Sequence, residues 1–217
     1  MEQPRVVVIM CVWNRLDKLT QTLEMIEEQD YPNFDFLIWN NSDKEIDYLD
    51  VVNSEENVGG VGRFMAAHQV SQDYDYVVFI DDDQIFGPTL ISDFVKEAKP
   101  KTMSGWYAWE LHGKYWNRTR NTPNPDYIGT CGMICDINAF RNKDVYTKLP
   151  KKYQFVEDLW LSFYCRYELG YELKPSNVEM SLMPNEENRG QFRLFNLREL
   201  KEDFYTYLKN ENSNTKL

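Results

Sequence analysis

Several familiar signatures are missing or scarce in this sequence, and each absence narrows what the chain can be. No stretch approaches the roughly 20 consecutive apolar residues of a membrane-spanning helix, and the longest early run, Val6 to Val12, has the length of a strand. The first residues show no secretory-signal pattern. Basic residues are in deficit: 24 Lys and Arg stand against 35 Asp and Glu, a formal net charge of −11. A nucleic-acid surface needs clustered cations, so nucleic acid is not an expected partner. An anionic substrate remains compatible, because beyond about 8 Å surface charges are screened and a local cation overrides the global sign. Four cysteines, Cys11, Cys131, Cys135 and Cys165, are too few for a disulfide scaffold and lack the spacing and His partners of a zinc site, so they read as reduced, mostly buried thiols. His68 and His112 are the only histidines, and each reads as structural or surface. The tripeptides at Asn40 and Asn117 match the glycosylation pattern, but without a secretory signal they read as coincidence.

What is present describes a globular chain: 217 residues, 42% hydrophobic, with fourteen tyrosines, enough to bury one sizeable core or two packed lobes. The first half alternates apolar strands with helical patterns. Strands are expected at Arg5 to Val12, Phe34 to Trp39, Val51 to Asn53 and Tyr76 to Ile80. Helices are expected at Asp17 to Gln29, Gly62 to Val70 and Thr89 to Ala98. This alternation predicts an α/β fold on a mostly parallel sheet. The second half begins with the aromatic-rich Met103 to Trp116, read as antiparallel strands or a hairpin. A small-residue segment follows at Ile128 to Asp136, then a helix over Glu157 to Leu169 closed by Gly170, and a last helix over Leu197 to Leu208. A boundary near residue 100 is expected to separate two lobes, 1–100 and 101–217, of one compact domain.

Open parallel sheets bind ligands beyond the carboxyl ends of their strands. The four exits here read Trp13-Asn14-Arg15, Asn40-Asn41-Ser42-Asp43, Asn57-Val58-Gly59-Gly60-Val61-Gly62-Arg63 and Asp81-Asp82-Asp83-Gln84. Together they supply an aromatic for a base, amides for its edge, a glycine-rich helix start with an arginine for phosphate, and carboxylates for a metal. The aspartate run is the sharpest of these. Oxygen ligands of this kind suit Mg²⁺ or Mn²⁺ bridged to substrate phosphates; a solvated turn is the plain alternative. The glycines explain a tight turn as well as a phosphate cradle, whereas Arg63 in a first helical turn is suited to a phosphate or to an ordinary salt bridge.

In the second half, Glu157-Asp158 opens a helix. Acidic residues in a first turn commonly complement the helix dipole; the same position suits a carboxylate that accepts a proton. Trp106, Tyr107, Trp109, Tyr115 and Trp116 are suited either to a platform for sugar faces or to a core.

Taken together these residues resemble the glycosyltransferase A (GT-A) fold, and within it the family-two-type transferases. The resemblance is carried by Val-Ile-Met-Cys-Val-Trp-Asn-Arg, by Glu56-Asn57-Val58-Gly59-Gly60 with Arg63, by Phe79-Ile80-Asp81-Asp82-Asp83, and by Glu157-Asp158 with Gly170-Tyr171, and it spans about residues 5 to 175. The short catalytic unit is also similar to the N-terminal glycosyltransferase domain encoded by large chlorella viruses. The resemblance implies a nucleotide-sugar pocket of Trp13, Asn14, Arg15, Asn41, Asn57, Gly60, Arg63, Asp81 and Asp82. Within it, Trp13 would pack on the base and Arg63 face the pyrophosphate. Asp83 with Asp81 would hold Mn²⁺ or Mg²⁺. Asp158, with Glu157 beside it, would be the catalytic base, and Trp106, Trp109 and Trp116 would meet the acceptor.

Two departures from the family pattern stand out. Asn40-Asn41-Ser42 replaces an Asp-containing pair, and the second half offers no histidine positioned as a metal ligand. The expected activity is metal-dependent transfer of a sugar from a nucleotide-diphosphate donor, UDP by family habit, to a glycan hydroxyl with inversion. It is expected in a cytoplasm (the host's, if the chain is viral), in a monomer or part of a larger multidomain chain. A retaining transferase, a nucleotidyltransferase and a non-catalytic sugar-nucleotide or glycan-binding module are the rival readings.

Overall fold

The computed structural model describes residues 3–186 and 188–215. Its centre is a seven-stranded sheet. Strand β1 (Val6–Val12) lies between β2 (Phe34–Asn40) and β4 (Tyr76–Asp81), and β3 (Val51–Asn53) flanks β2; all these pairs are parallel. On the other side of β4 come β10 (Met133–Asp136), β6 (Thr102–Gly105) and β11 (Glu172–Pro175), the order being β11-β6-β10-β4-β1-β2-β3. β10 is antiparallel to both of its neighbours, and β11 is parallel to β6. The mostly parallel α/β expectation therefore holds. The second half of the chain completes the sheet of the first, so residue 100 lies between elements that share one sheet.

The valine-rich composition of β1 follows from burial on both faces. Val7 and Ile9 point into one core with Phe79 of β4, while Val6, Val8 and Met10 point into the other with Val78 and Ile80. Period-two alternation sorts consecutive apolar residues to opposite sides. The first core is covered by α2 (Val61–Val70), α5 (Glu157–Phe163) and α7 (Arg198–Thr215), which contribute Phe64, Leu161 and Phe204. The second is covered by α1 (Leu19–Glu27) and α3 (Leu90–Glu97), through Ile26, Ile91 and Phe94. The short helices α4 (Asp144–Thr147) and α6 (Gln191–Leu194) sit in connections.

Two small sheets complete the fold. One pairs β5 (Gln84–Phe86) with β12 (Met180–Leu182), and the other orders β8 (Arg118–Arg120), β7 (Ala108–Leu111) and β9 (Tyr127–Ile128) as β8-β7-β9. The aromatic segment expected as one hairpin is thus divided: Thr102–Gly105 joins the main sheet, and Ala108–Leu111 starts the second. The long helix expected over Glu157 to Leu169 is α-helical only to Phe163 and continues as one π-turn, Tyr164–Glu168. No described helix is long and apolar enough to cross a membrane.

Register brings the strand exits together. Val12 lies opposite Asn40, Asn40 opposite Asn53, and Cys11 opposite Asp81, so four loops leave one edge of the sheet at one level. The glycines behind that edge are close-approach positions. A Cβ on Gly62 would lie 2.3 Å from the Trp39 ring, and that indole is held by a hydrogen bond from its Nε1 to Asn41 Oδ1 at 3.2 Å. Gly62→Ala should therefore lower stability by about 1–2 kcal/mol in urea unfolding, because overpacking outweighs the gain in helix propensity. An unchanged midpoint would mean the indole is free to move.

Candidate active site

Two contiguous clefts open at this edge. The first, about 280 Å³, is lined by Trp13, Asn14, Arg15, Asn41, Gly59 and Asp81 to Asp83; the second, about 550 Å³, by Trp109, Trp116, Tyr127, Glu157, Asp158 and Lys201. Gly60, Arg63, Asp81, Gln191 and Phe192 line both. A larger concavity of about 670 Å³ lies at the opposite edge of the strands. There Asp75 accepts the Arg5 backbone N–H and Asp136 caps the backbone at Lys101 and Asn138, so its carboxylates serve the fold.

In the first cleft the aspartate run is folded into a turn held by Gln84, whose Oε1 accepts the Asp81 N–H at 2.7 Å. Arg15, 7% exposed, bridges Asp82 at 2.7 Å and Asp83 at 2.9 Å, and its Nη2 also donates to the Glu186 carbonyl at 2.8 Å. One guanidinium shared in this way leaves the acidic cluster under-neutralised. Burial first, and Asp81 second, push the Asp83 carboxyl up to about 7 against the pull of Arg15. Asp81 gives Oδ1 to Arg63 at 2.8 Å. Asp81 Oδ2 and Asp83 Oδ1 carry no salt bridge among the described residues. These hard oxygens suit a divalent cation that completes its shell with phosphate and water. No cluster of three or more His, Cys, Asp or Glu among the described residues forms a self-sufficient metal site.

Asn41 is buried and spent on the loop itself: its amide donates to Gly59 O at 2.9 Å and its Oδ1 accepts from Val58 N at 3.1 Å. Asn57 stands behind the cleft wall, accepting from Gly59 N at 2.9 Å and Gln191 Nε2 at 3.1 Å. Asn14 is clasped by Arg189, whose Nη2 donates to Asn14 O at 2.6 Å. Trp13 lines the cleft with its ring 5.2 Å from that of Phe195. Arg63 is 5% exposed, its Nη1 donating to Thr130 O at 3.0 Å, and its Nε has no partner. Burial pushes the Cys11 thiol up to about 11, so the cysteine in this wall stays protonated.

The second cleft holds the carboxylate pair at the start of α5. Asp158 accepts from Lys201 Nζ at 2.7 Å, from the Tyr127 hydroxyl and from Leu159 N at 2.9 Å. Burial opposes its charge, yet Lys201 and these donors hold its carboxyl below the ordinary range. Glu157 goes the other way: burial, then the Asp158 charge, raise it to about 7 despite Arg63. Its carboxylate lies against Gly60, where a Cβ would stand 1.7 Å from Oε1. Trp109 and Trp116 line this cleft with Tyr107 and Tyr115, but Trp106 does not; it packs beside Tyr107, rings 4.3 Å apart, toward the α1–α3 core. His68 sits in α2 with Nδ1 2.8 Å from Phe140 O, and His112 is exposed.

Several cleft residues gave no local signal: Gln191, Phe192 and Lys201 from the C-terminal stretch, and Tyr127, Arg118 and Arg120 from the small sheet; nor did Glu186, the buried partner of Arg15. Lys201 lies 43 positions from Asp158 in sequence, and Arg15 lies 171 from Glu186.

The profile of the family described as Glycosyl transferase family 2 matches residues 7–166. No curated protein matches the sequence. Among solved structures, the mannosyltransferase PcManGT from Pyrobaculum calidifontis, in complex with GDP-Man and Mn²⁺, is similar with a TM-score of 0.66 at 16% identity, over 96% of this chain and 65% of that one. Residues 1-349 of S. aureus TarS in complex with UDP-GlcNAc give a TM-score of 0.62 at 18% identity, over 85% of this chain and 60% of that one. This chain covers 37% of the longer TarS structure, and less than two thirds of each. At such identities the likeness shows a shared fold.

A carboxyl whose folded pKa exceeds its unfolded value holds its proton more tightly when folded. Its stabilisation is complete below the unfolded pKa and is lost as pH climbs through the folded one. Glu157, raised from 4.5 to about 7, should therefore cost the unliganded protein stability between pH 5 and 8. Glu157→Gln, neutral throughout, should recover about 2 kcal/mol at pH 8 and little at pH 5. Parallel stability–pH curves for both proteins would show that Glu157 does not titrate there.

Proposed function

The chain belongs to glycosyl transferase family 2, and from that premise we propose that it transfers a sugar from a nucleotide-diphosphate donor to a hydroxyl of a glycan acceptor. The observation that carries this reading is the meeting of the two clefts at Arg63 and Asp81: an acidic, arginine-braced pocket on one side and an aromatic pocket with a carboxylate pair on the other. Such an arrangement suits two substrates joined at one reacting carbon. The nucleotide is assigned to the first cleft, with its base on Trp13 and its diphosphate toward Asp81 and Asp83, and UDP is preferred. The complexes of the similar structures with UDP-GlcNAc and with GDP-Man and Mn²⁺ support a nucleotide-sugar donor.

Asp83 and Asp81 would hold Mn²⁺ or Mg²⁺, which supplies charge neutralisation to the departing diphosphate. Arg63 fixes Asp81 and lines both clefts. Asp158, kept ionised by Lys201, takes the acceptor proton as the hydroxyl oxygen attacks the anomeric carbon from the face opposite the diphosphate, with inversion. Glu157 is the second proton acceptor the geometry offers, since a group near 7 is matched to neutral pH. Action in a cytoplasm, the host's if the chain is viral, is part of the same proposal.

Incubation with a panel of nucleotide sugars and Mn²⁺ should release nucleoside diphosphate. Release of pyrophosphate would point to a nucleotidyltransferase, and no release to a binding module. Asp158→Asn should lower kcat by about 10²–10⁴-fold while donor affinity stays near wild type. A larger loss for Glu157→Gln than for Asp158→Asn would move the base to Glu157. Asp83→Ala should abolish the Mn²⁺-dependent part of UDP binding in calorimetry; equal heats with and without Mn²⁺ in the wild type would remove the metal from the mechanism.

A further inference from the structure

The acceptor cleft carries positive charge that its own carboxylates do not use, in a chain whose net charge is −11. Its cations are Arg63, Arg118, Arg120 and Lys201, and its carboxylates are Asp81, Glu157 and Asp158. Arg63 is paired with Asp81, and Lys201 with Asp158. Glu157 is buried against Gly60. Among the described residues no carboxylate forms a salt bridge with Arg118 or Arg120, although acidic residues outnumber basic ones by 35 to 24. Two unpaired arginines at the mouth of a cleft in so acidic a protein call for an explanation.

Their mounting supplies one. Arg118 and Arg120 are alternate residues of β8, and so project from one face of the small sheet. Arg118 lies over aromatic rings, its Cζ 4.1 Å from the Trp109 centroid, 4.6 Å from Tyr115 and 5.0 Å from Trp116. Arg120 lies 4.2 Å from Tyr107 and 5.1 Å from Trp106, with one long hydrogen bond, 3.4 Å, from Nη2 to Trp106 O. Stacking engages the face of a guanidinium and leaves its in-plane N–H groups unspent. These groups form a rigid fork that matches a carboxylate or a phosphate, and the aromatic bed holds it in place before any ligand arrives.

Building on the glycosyltransferase reading, we propose that the acceptor is an anionic glycan: its carboxylate or phosphate is received by Arg118 and Arg120, while a neighbouring sugar ring stacks on Trp109 or Trp116. The two arginines are specificity determinants for the acceptor. They line only the aromatic cleft, whereas Asp82 and Asp83 of the acidic turn assigned to the donor line only the other. A neutral acceptor would leave both forks without an anion, so the discrimination should be about tenfold or more.

The test compares three probes by calorimetry in the presence of UDP and Mn²⁺: p-nitrophenyl β-D-glucuronide, p-nitrophenyl β-D-glucoside 6-phosphate and the neutral p-nitrophenyl β-D-glucoside. At least one anionic probe should bind about tenfold or more tightly than the neutral one, and lose that advantage as NaCl rises. The tighter of the two identifies the anion as carboxylate or phosphate. Arg118→Gln with Arg120→Gln should erase the preference, and Arg118→Lys should keep part of it, since a lysine retains charge without the fork. Equal binding of all three probes overturns the proposal. So does a double variant that binds UDP more weakly but keeps the anionic preference, which would assign the arginines to the donor. A double variant that loses thermal stability and affinity for all three probes alike would make them structural staples and sink it as well. UDP titrated alone tests the donor reading separately, and its failure leaves the comparison of glycosides standing.

Discussion

A buried guanidinium holds this site together. Arg63 sits in the first turn of α2, 5% exposed, and reaches β4 through Asp81 and the β9–β10 connection through Thr130. Burying a charge costs several kcal/mol unless partners surround it. Here burial opposes the charge most strongly of any single cause, but Asp81 and the neighbouring acidic groups together outweigh it and hold the arginine protonated. The start of α2, the exit of β4 and the β9–β10 connection meet at this one cation, which lines both clefts. The close contacts around it, Glu157 on Gly60 and Trp39 on Gly62, leave no room for these elements to settle independently.

The positive charge around Arg63 is distributed unequally, and the inequality distinguishes the two clefts. On the donor side one guanidinium, Arg15, is divided between Asp82, Asp83 and the Glu186 region, so burial leaves both aspartates raised. On the other side Lys201 is given wholly to Asp158, which stays ionised, while its neighbour Glu157 rises. A deficit of positive charge is what a divalent ion with its phosphates would fill; a fully paired carboxylate is what a proton acceptor needs in order to start deprotonated. The environment, and not the residue type, thus gives neighbouring carboxylates opposite protonation tendencies.

What could be read in the sequence was whatever local pattern controls. The strands at Val6–Val12 and Val51–Asn53 and the acidic turn after Tyr76–Asp81 follow from composition and period, and the sheet then places their exits together without further information. Glu157 and Asp158 were legible as a pair at a helix start, but their opposite protonation behaviour was not, because it depends on Lys201, 43 residues away. Asn41 was expected at a ligand and is spent on Gly59 and Val58; a short polar side chain gives no sign in sequence of whether its partner is backbone or substrate. Trp106 and Trp109 looked alike as aromatics in one segment, and only the division of that segment between two sheets sends Trp106 away from the cleft.

The stretch after residue 166, beyond the family match, closes the site. Gln191 is fixed to Asn57 at 3.1 Å, Arg189 to Asn14 at 2.6 Å and to Asp17 at 2.6 Å, and Lys201 to Asp158 at 2.7 Å. These contacts join the C-terminal stretch to the exits of β1 and β3 and to α5. Gln191 and Phe192 face both clefts, so this wall cannot shift for one substrate without altering the space offered to the other. The tie between Arg189 and Asp17 is an ion pair made at the surface, weak and sensitive to salt, whereas Arg15–Glu186 and Lys201–Asp158 are enclosed, with side chains 7–9% and 13–14% exposed. The wall is therefore anchored by an enclosed ion pair at each cleft, Arg15–Glu186 beside the acidic turn and Lys201–Asp158 at the start of α5. Two enclosed anchors, one at each cleft, hold the wall in a fixed position over the place where the clefts meet, which is what the proposed two-substrate reaction would require.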